Sequence, residues 1–365
     1  MTEALRAWQE ARRLLCIRLD SMGDVLMTTP AIRALKEQVD ARHVTLLTSR
    51  AGAVAARYVP EVDEVLTYDA PWMKPPFETA VRSAIVDELQ GRHFDGAVVF
   101  GLHTQSPLPA AFLCWLAAIP LVAARCRENP YHLVTTWLRE DEPNAAARHD
   151  VERQLSLAAA VGATTARDHL SFHIREADRA AAAAIIAPLG LAPGKWCVIH
   201  PGASAASRRY PVNLFALAAQ SLIRDDGWQV LVTGDTTEEG LVAALCEAAG
   251  AGARAVEPLS LGVLAALIEA APVLIANNSG PAHLAAAVGT PVVDLYALTN
   301  PQHAPWRVPH RLLSHDVECK YCYRSVCPEG HHRCLRLVRP EEVAAAARAL
   351  VQESRFAMDD VAVAR

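Results

Sequence analysis

Two glycine-containing turns, one in each half of the chain, constrain the fold more than any other feature of this sequence. Ser21-Met22-Gly23-Asp24 follows the apolar run Leu14 to Leu19, and Asn277 to His283 follows a second apolar run. Turns of this kind join a strand to a helix in parallel α/β sheets, where ligands bind at the carboxyl ends of the strands. Two such turns predict two α/β domains that face each other across a cleft.

Strand-like and helix-like segments alternate through both halves of the chain, as in doubly wound parallel sheets. A length of 365 residues allows each of two domains to bury its own core. The predicted segments are an N-terminal Rossmann-like domain (1–175), a linker region (176–194), a C-terminal Rossmann-like domain (195–356) that includes a four-cysteine segment (319–334), and a tail (357–365).

Charge and hydropathy exclude several classes of protein. The formal net charge of −5 argues against a nucleic-acid-binding protein, although basic residues can still gather around an anionic substrate. The first twenty residues lack the apolar run of a signal peptide, which predicts a cytoplasmic protein. Prolines interrupt the uncharged stretch 106–124, so we expect a buried helix and a strand there rather than a membrane span. A shallow membrane-facing surface is the alternative.

The first turn is not a dinucleotide-binding fingerprint. It contains one glycine, Gly23, where close approach of a pyrophosphate requires three, so a nicotinamide-dependent enzyme is disfavoured. Asp24 at the start of the following helix has two interpretations. It is either an N-cap or a general base that accepts a proton from an attacking hydroxyl group.

Two later segments carry features of a phosphate site. His200-Pro201-Gly202-Ala203-Ser204 leaves a strand and is followed by Arg208 and Arg209, whose planar guanidinium groups suit phosphate. The turn from Asn277 to His283 opens a helix whose N-terminus favours a diphosphate. The alternatives are a solvated loop for the first segment and, for the second, a helix cap formed by Asn278 and Ser279.

Four of the nine cysteines form a cluster with the spacing C-x2-C-x4-C-x6-C: Cys319, Cys322, Cys327 and Cys334. Four thiolates so close in sequence are suited to a tetrahedral zinc or iron site. The alternative is four free thiols in a mobile loop. The other five cysteines lie in apolar segments, and we interpret them as core residues.

Taken together, these segments resemble the ADP-heptose:lipopolysaccharide heptosyltransferase family, glycosyltransferase family 9. The most specific parts are 22–35, His200 to Ala203 and Ser279 to Ala286. The resemblance implies the two-domain GT-B fold, an N-terminal acceptor-binding domain and a C-terminal nucleotide-sugar-binding domain. It also implies inversion at the anomeric carbon without a catalytic cofactor or metal.

The resemblance also implies roles for individual residues. Asp24 matches the catalytic base. The residues matched to binding of the donor or the reacting sugar are Gly23, Thr28, Ser204, Arg208, Asn278, Ser279, Gly280, Pro281 and His283. Arg208 stands where relatives commonly carry lysine, and Asn278 where many carry aspartate. Family members also contain similar four-cysteine segments, which implies a structural rather than a catalytic metal.

The function that the resemblance implies is transfer of heptose from ADP-L-glycero-D-manno-heptose to an inner-core lipopolysaccharide acceptor. The enzyme would act at the cytoplasmic face of the inner membrane, with peripheral membrane contact. Another nucleotide-sugar donor, or a protein or other glycan acceptor, is the first alternative. A non-catalytic sugar-nucleotide-binding module and a metal-dependent regulator acting through the cysteine cluster are the others.

Overall fold

The computed structural model describes residues 3–73, 82–142 and 147–363. The chain divides into two compact units, Met1–His173 and Ile174–Arg365. Each unit contains, within the described residues, one six-stranded sheet whose neighbouring strands are all parallel. Both units are therefore Rossmann-like α/β units, as predicted.

The sheet of the first unit has the strand order β3-β2-β1-β4-β5-β6. Its strands are β1 (Arg13–Arg18), β2 (His43–Thr48), β3 (Glu64–Thr67), β4 (Gly96–Val99), β5 (Leu121–Cys126) and β6 (Thr136–Arg139). Its helices are α1 (Glu3–Glu10), α2 (Met22–Gln38), α3 (Arg50–Ala56), α4 (Arg82–Gly91), α5 (Leu108–Leu116) and α6 (Asp150–Ala160).

The sheet of the second unit has the strand order β12-β11-β10-β7-β8-β9. Its strands are β7 (Trp196–His200), β8 (Gln229–Val232), β9 (Ala253–Ala255), β10 (Leu274–Asn277), β11 (Val292–Leu295) and β12 (His310–Leu313). Its helices are α7 (Glu176–Ile186), α8 (Val212–Asp226), α9 (Glu239–Ala249), α10 (Leu261–Ala270), α11 (Gly280–Val288), α12 (Arg333–Arg336) and α13 (Pro340–Val363).

The central strands are apolar on both faces because helices cover both sides of each sheet. In β1, the residues from Leu14 to Ile17 are at most 1% exposed. In β7, Cys197, Val198 and Ile199 are fully buried. Of the five cysteines predicted as core residues, Cys16, Cys114, Cys126 and Cys197 are buried and Cys246 is partly buried.

The predicted linker region, 176–194, begins with helix α7, which packs against α10 of the second unit. The boundary between the units lies between His173 and Ile174, and the segment belongs to the second unit. Helix α13 continues into the predicted tail, 357–365, and ends at Val363. Residues 364 and 365 lie outside the described part of the chain.

The uncharged stretch 106–124 forms helix α5 and most of strand β5, as predicted. The expectation that the helix is buried is wrong for one of its faces. Phe112, Trp115 and Leu116 are 48%, 58% and 41% exposed. A uniformly apolar helix has no polar face to mark its exposed side, so the sequence pattern does not reveal it. No helix within 3–73, 82–142 and 147–363 is both long and apolar enough to cross a membrane.

Helix α1 is fixed to the first sheet by Trp8, which is 1% exposed. Its indole N–H donates a hydrogen bond of 2.9 Å to the Thr136 hydroxyl in β6. Its ring lies against Gly96 of β4, where an added Cβ would be 2.8 Å from the ring. The absence of a side chain at Gly96 therefore makes room for the indole.

We expect Trp8→Ala to lower the free energy of unfolding by about 3–5 kcal/mol, because it leaves a cavity and an unpaired Thr136 hydroxyl. Urea unfolding followed by circular dichroism measures the change. Trp115→Ala is the control, since Trp115 is 58% exposed, and it should cost less than about 1 kcal/mol. Equal losses in the two variants would contradict the assigned packing of α1.

Candidate active-site residues

The candidate site of the first unit is built around Arg18, the last residue of β1, whose side chain is fully buried. Its guanidinium group contacts three carboxylates. Nε lies 2.9 Å from Asp20, and Nη2 lies 3.1 Å from both Asp24 and Asp150. These carboxylates come from the loop after β1, the first turn of α2 and the first turn of α6. The carboxyl end of β1 is thus a cluster of buried charge.

Asp24 is the third residue of α2, and the N-cap is Ser21. Asp24 is therefore not the N-cap itself, but it has a capping role as the N3 residue of a capping box with Ser21. The Ser21 backbone N–H and hydroxyl donate to Asp24 Oδ2 at 3.0 and 2.6 Å, while Arg18 donates to Oδ1. Protein donors thus hold both oxygens of a carboxylate that remains 16% exposed. This geometry fixes the orientation of the side chain and leaves it accessible.

The cluster has an excess of negative charge, since one guanidinium group faces three carboxyl groups. Burial alone would lower the pKa of Arg18, but attraction to Asp150, Asp20 and Asp24 outweighs burial and raises it. The pKa of Asp20 rises to about 6, mainly through burial and with repulsion from Asp24 and Asp150, against the attraction of Arg18. Asp20 therefore takes up a proton as the pH falls through about 6.

Sequence reasoning missed Arg18 and Asp150 as site residues. A charged residue that closes an otherwise apolar strand was a signal for Arg18. Asp150 lies 132 positions further along the chain, and no local pattern connects the two residues.

The predicted residues Gly23 and Thr28 are both buried in α2. The Thr28 hydroxyl donates to the backbone carbonyl of Asp24 at 2.7 Å. That bond places the Thr28 hydroxyl within the helix, where it supports the turn that carries Asp24.

In the second unit, Asn277 joins two of the predicted motifs. Its Oδ1 accepts a 2.8 Å hydrogen bond from the backbone N–H of Tyr210, and its Nδ2 donates to the carbonyl of Pro201 at 2.7 Å. Asn277 is the last residue of β10 and is fully buried. One side chain therefore holds the loop that follows β7 against the turn that precedes α11.

The neighbouring Asn278 is also fully buried. Its Nδ2 donates to Asp294 Oδ2 at 3.0 Å and to the His303 carbonyl at 2.9 Å. Within the described residues, Asn278 Oδ1, Asp294 Oδ1 and Arg208 Nε are buried without a hydrogen-bond partner. Arg208 Nη1 donates to the Asn278 carbonyl at 3.3 Å. Arg208, Asn278 and Asp294 therefore form one polar cluster beside the turn into α11.

Ser279, Gly280, Pro281 and His283 form the turn into α11, as predicted. Ser279 occupies the N-cap position, but its side chain makes no capping hydrogen bond, and its hydroxyl donates instead to the Asn277 carbonyl at 3.2 Å. The Asn278 side chain is directed to Asp294. The alternative of a helix cap formed by Asn278 and Ser279 is therefore not what the structure shows. Ser204 lies exposed in the loop after β7.

His200 and Glu238 form a second polar cluster, which sequence reasoning missed. His200 Nδ1 lies 3.1 Å from the Thr233 hydroxyl, and its Nε2 lies 3.3 Å from Glu238 Oε2. Burial acts to raise the pKa of Glu238, but the hydrogen bond and charge of His200 lower it overall. An added Cβ at Gly202 would lie 1.8 Å from Glu238 Oε1. The carboxylate thus reaches a space that only glycine leaves open.

The four clustered cysteines line one cavity of the second unit together with His331 and His332. Burial raises the pKa of the Cys334 thiol, and repulsion from Cys327, Cys319 and Cys322 adds to the rise. Cys319 Sγ lies 3.9 Å from His331 Nε2. Within the described residues, no three ligand atoms of this group lie within 4.8 Å of one another. The donor set fits a soft metal, but the thiols stand further apart than in a closed tetrahedral site.

Burial raises the pKa of Asp294 to about 7, against the hydrogen bond from Asn278 and the charge of Arg208. Because the pKa of Asp294 is higher in the folded than in the unfolded protein, this group contributes stability that is fully present below its unfolded pKa, near 3.9. That stability is lost as the pH rises through about 7. We therefore expect Asp294→Asn to stabilise the protein at pH 8, by on the order of a few kcal/mol. The gain should shrink toward pH 4.

Urea unfolding between pH 4 and pH 8 measures the effect of Asp294→Asn. Asp40→Asn is the control, since Asp40 is exposed, and it should change stability by less than about 0.5 kcal/mol. A stability difference between Asp294→Asn and wild type that does not depend on pH would contradict the assigned burial of the carboxyl group.

The chain is similar to known proteins in both sequence and structure. Residues 82–333 match the sequence model of glycosyltransferase family 9 (heptosyltransferase). The chain is 28% identical over 176 residues to lipooligosaccharide heptosyltransferase 2 of Campylobacter jejuni. That match covers 46% of this chain and 55% of the relative. The chain thus spans about half the length of this curated relative.

Solved structures share the fold over most of the chain. A glycosyl transferase family 9 protein from Veillonella parvula superposes with a TM-score of 0.76 at 22% identity, covering 94% of this chain and 97% of the other. The ADP-heptose lps heptosyltransferase II of E. coli gives 0.71 at 23% identity, covering 94% and 99%. These likenesses confirm the predicted GT-B fold class. Since the family match covers more than half of its residues, the chain belongs to glycosyltransferase family 9, the heptosyltransferase family.

Proposed function

We propose that this protein is an inverting glycosyltransferase that transfers heptose from ADP-L-glycero-D-manno-heptose to an inner-core lipopolysaccharide acceptor. The proposed location is the cytoplasm, at the inner face of the inner membrane. The observation that carries the proposal is the Asp24 carboxylate, which Arg18 and Ser21 orient from two sides while it stays accessible. Family membership gives the reaction class its context.

In the proposed reaction Asp24 is the general base. It accepts the proton of the acceptor hydroxyl while that oxygen attacks the anomeric carbon of the donor from the face opposite ADP. The glycosidic bond forms as the bond to the diphosphate breaks, so the anomeric configuration is inverted. The residues invoked supply this chemistry without a catalytic cofactor.

The second unit supplies the proposed donor-binding residues. Arg208 and the N-terminus of α11, at Gly280 and Pro281, would stabilise the charge that develops on the departing diphosphate. Both amide hydrogens of Asn278 are already donated, to Asp294 and His303. Its buried Oδ1 is therefore the atom of that side chain that accepts a hydrogen bond from a donor hydroxyl group.

Asn278 also supports a second candidate function, in which the same chemistry uses another nucleotide-sugar donor. Asparagine stands where many relatives carry a charged aspartate, and a neutral acceptor suits a different pattern of sugar hydroxyls. Product mass after incubation with different nucleotide sugars distinguishes the two donors.

We also propose that Cys319, Cys322, Cys327 and Cys334 hold a structural zinc or iron ion. Their shared cavity and their soft sulfur donors support this assignment. Bound metal would connect the segment between β12 and α12 to Cys334 in α12, which stabilises the fold of that segment. Four protein ligands leave no open coordination position, so no step of the transfer involves the metal.

We expect Asp24→Asn to reduce kcat by about 10²–10⁴-fold, because an amide is not a base at neutral pH. The assay measures ADP release from ADP-heptose in the presence of heptose-deficient lipopolysaccharide and checks the acceptor by mass. The exposed Asp40→Asn variant is the control and should keep wild-type kcat. Unchanged turnover in a folded Asp24→Asn variant would show that Asp24 is not the general base. Donor binding by wild type without transfer would favour a binding module or another acceptor.

We expect replacement of all four clustered cysteines by serine to abolish metal binding and to lower the Tm, because a metal bound only in the folded state stabilises it. Metal content after anaerobic purification is measured by mass spectrometry. Cys246→Ser is the matched control, since Cys246 is a partly buried free thiol on α9. Wild-type protein that contains no zinc or iron and takes up neither would contradict the proposed site.

A further inference from the structure

An apolar cavity of about 380 Å³ opens on the first unit, between α4, α5 and the segment that follows β3. The residues that line it are Tyr68, Pro71, Trp72, Val86, Pro109, Phe112, Leu113 and Leu116. None of these lining residues is charged, and their only polar side-chain groups are the Tyr68 hydroxyl and the Trp72 indole N–H. The volume lies within the range of small-molecule binding sites.

Several large apolar side chains around this cavity are exposed to solvent. Trp72, Phe112 and Leu116 are 38%, 48% and 41% exposed, and the Trp115 ring stacks on Phe112 with 5.8 Å between centroids. Helix α5 contains no charged residue in its whole length. Surface helices normally place polar residues on the outer face, and contiguous exposed apolar patches mark binding sites.

The chemistry of the lining selects a hydrocarbon. A sugar, nucleotide or peptide placed there would lose its hydrogen bonds to water and find almost no partner in return. A hydrocarbon chain gains free energy in proportion to the area that it removes from water.

Trp72 lies between the apolar cavity and a second cavity that contains both polar and apolar residues. It lines this smaller cavity, of about 40 Å³, together with Asp20, Gln105, Arg125 and Gln154. Gln105 donates to Asp20 at 2.7 Å, and Asp20 contacts Arg18, which holds Asp24. The apolar cavity therefore adjoins, at one indole ring, a cavity whose lining includes Asp20, and Asp20 contacts the Arg18 that holds Asp24. This order of surfaces complements an amphiphile.

We propose that the apolar cavity is a subsite for one hydrocarbon chain of an amphiphilic acceptor, whose polar part lies beyond Trp72 toward Asp20. The identity of the occupant as acceptor rests on the proposed function, whereas the binding of a hydrocarbon chain does not. The subsite would make the enzyme select acceptors that carry their lipid over the same glycan without it.

The test measures binding of hexyl, octyl and decyl glucoside to the purified protein by calorimetry, below the concentrations at which they form micelles. We expect affinity to increase by about fourfold for each added methylene group until the cavity is full. Leu116→Glu places a charge in the cavity and should abolish this dependence. Leu217→Glu is the matched control, a leucine on α8 that is 47% exposed, and should retain it.

Three results of the binding assay would overturn the inference. They are no binding by the folded wild-type protein, chain-length dependence that Leu116→Glu does not change, and binding to phosphatidylglycerol vesicles without binding to dispersed glucosides.

A fourth result comes from sedimentation. Conversion of a dimer to a monomer by Leu116→Glu would assign the face to a second copy of the chain and would also overturn the inference. If Leu116→Glu fails to fold by circular dichroism, Phe112→Gln replaces it. The assay contains no sugar donor, so a failed transfer reaction does not affect its result.

Discussion

The candidate site of the first unit depends on one buried cation, the guanidinium group of Arg18. Three carboxylates surround it, and each would be costly to bury at that position without it. Arg18 is the last residue of β1, which pairs with β2 and β4 on either side, and Arg18 itself is in register with Thr48 of β2. The orientation of Asp24 therefore derives from the sheet, through Arg18, and from the turn at Ser21.

Sequence patterns predict most of the architecture, because strand and helix periodicity are local properties. The alternation of segments gives two parallel α/β units, and the single glycine at Gly23 correctly argues against a dinucleotide fingerprint. Contacts between distant segments leave no such pattern in the local sequence. The approach of Asp150 to Arg18 and the nesting of Trp8 against Gly96 both depend on how helices settle on a sheet. The sequence does not predict the exposed face of α5 for a different reason, since a helix without polar residues gives no indication of which side faces solvent.

In the candidate donor site, the residue that accepts a hydrogen bond and the residue that carries the carboxyl group are different residues. Asn278 contributes an amide to this site, and the nearby carboxyl group belongs to Asp294 on the adjacent strand β11. Burial raises the pKa of Asp294 to about 7, and both amide hydrogens of Asn278 are directed away from the unpaired Oδ1. The amide is thus presented as a fixed acceptor. Its orientation depends on a group that the ligand need not touch.

Asn277 has a consequence for the dynamics of the second unit. Its side chain bonds to backbone groups that lie 67 and 76 positions away along the chain, at Tyr210 and Pro201. Because these bonds form only when β7 and β10 are already paired, the loop after β7 has no stable local precursor in the unfolded chain. The amide hydrogen of Tyr210 is sealed beneath a fully buried side chain, so its exchange with solvent requires opening of the sheet. The loop therefore shares the cooperativity of the core, although it lies at the edge where ligands enter.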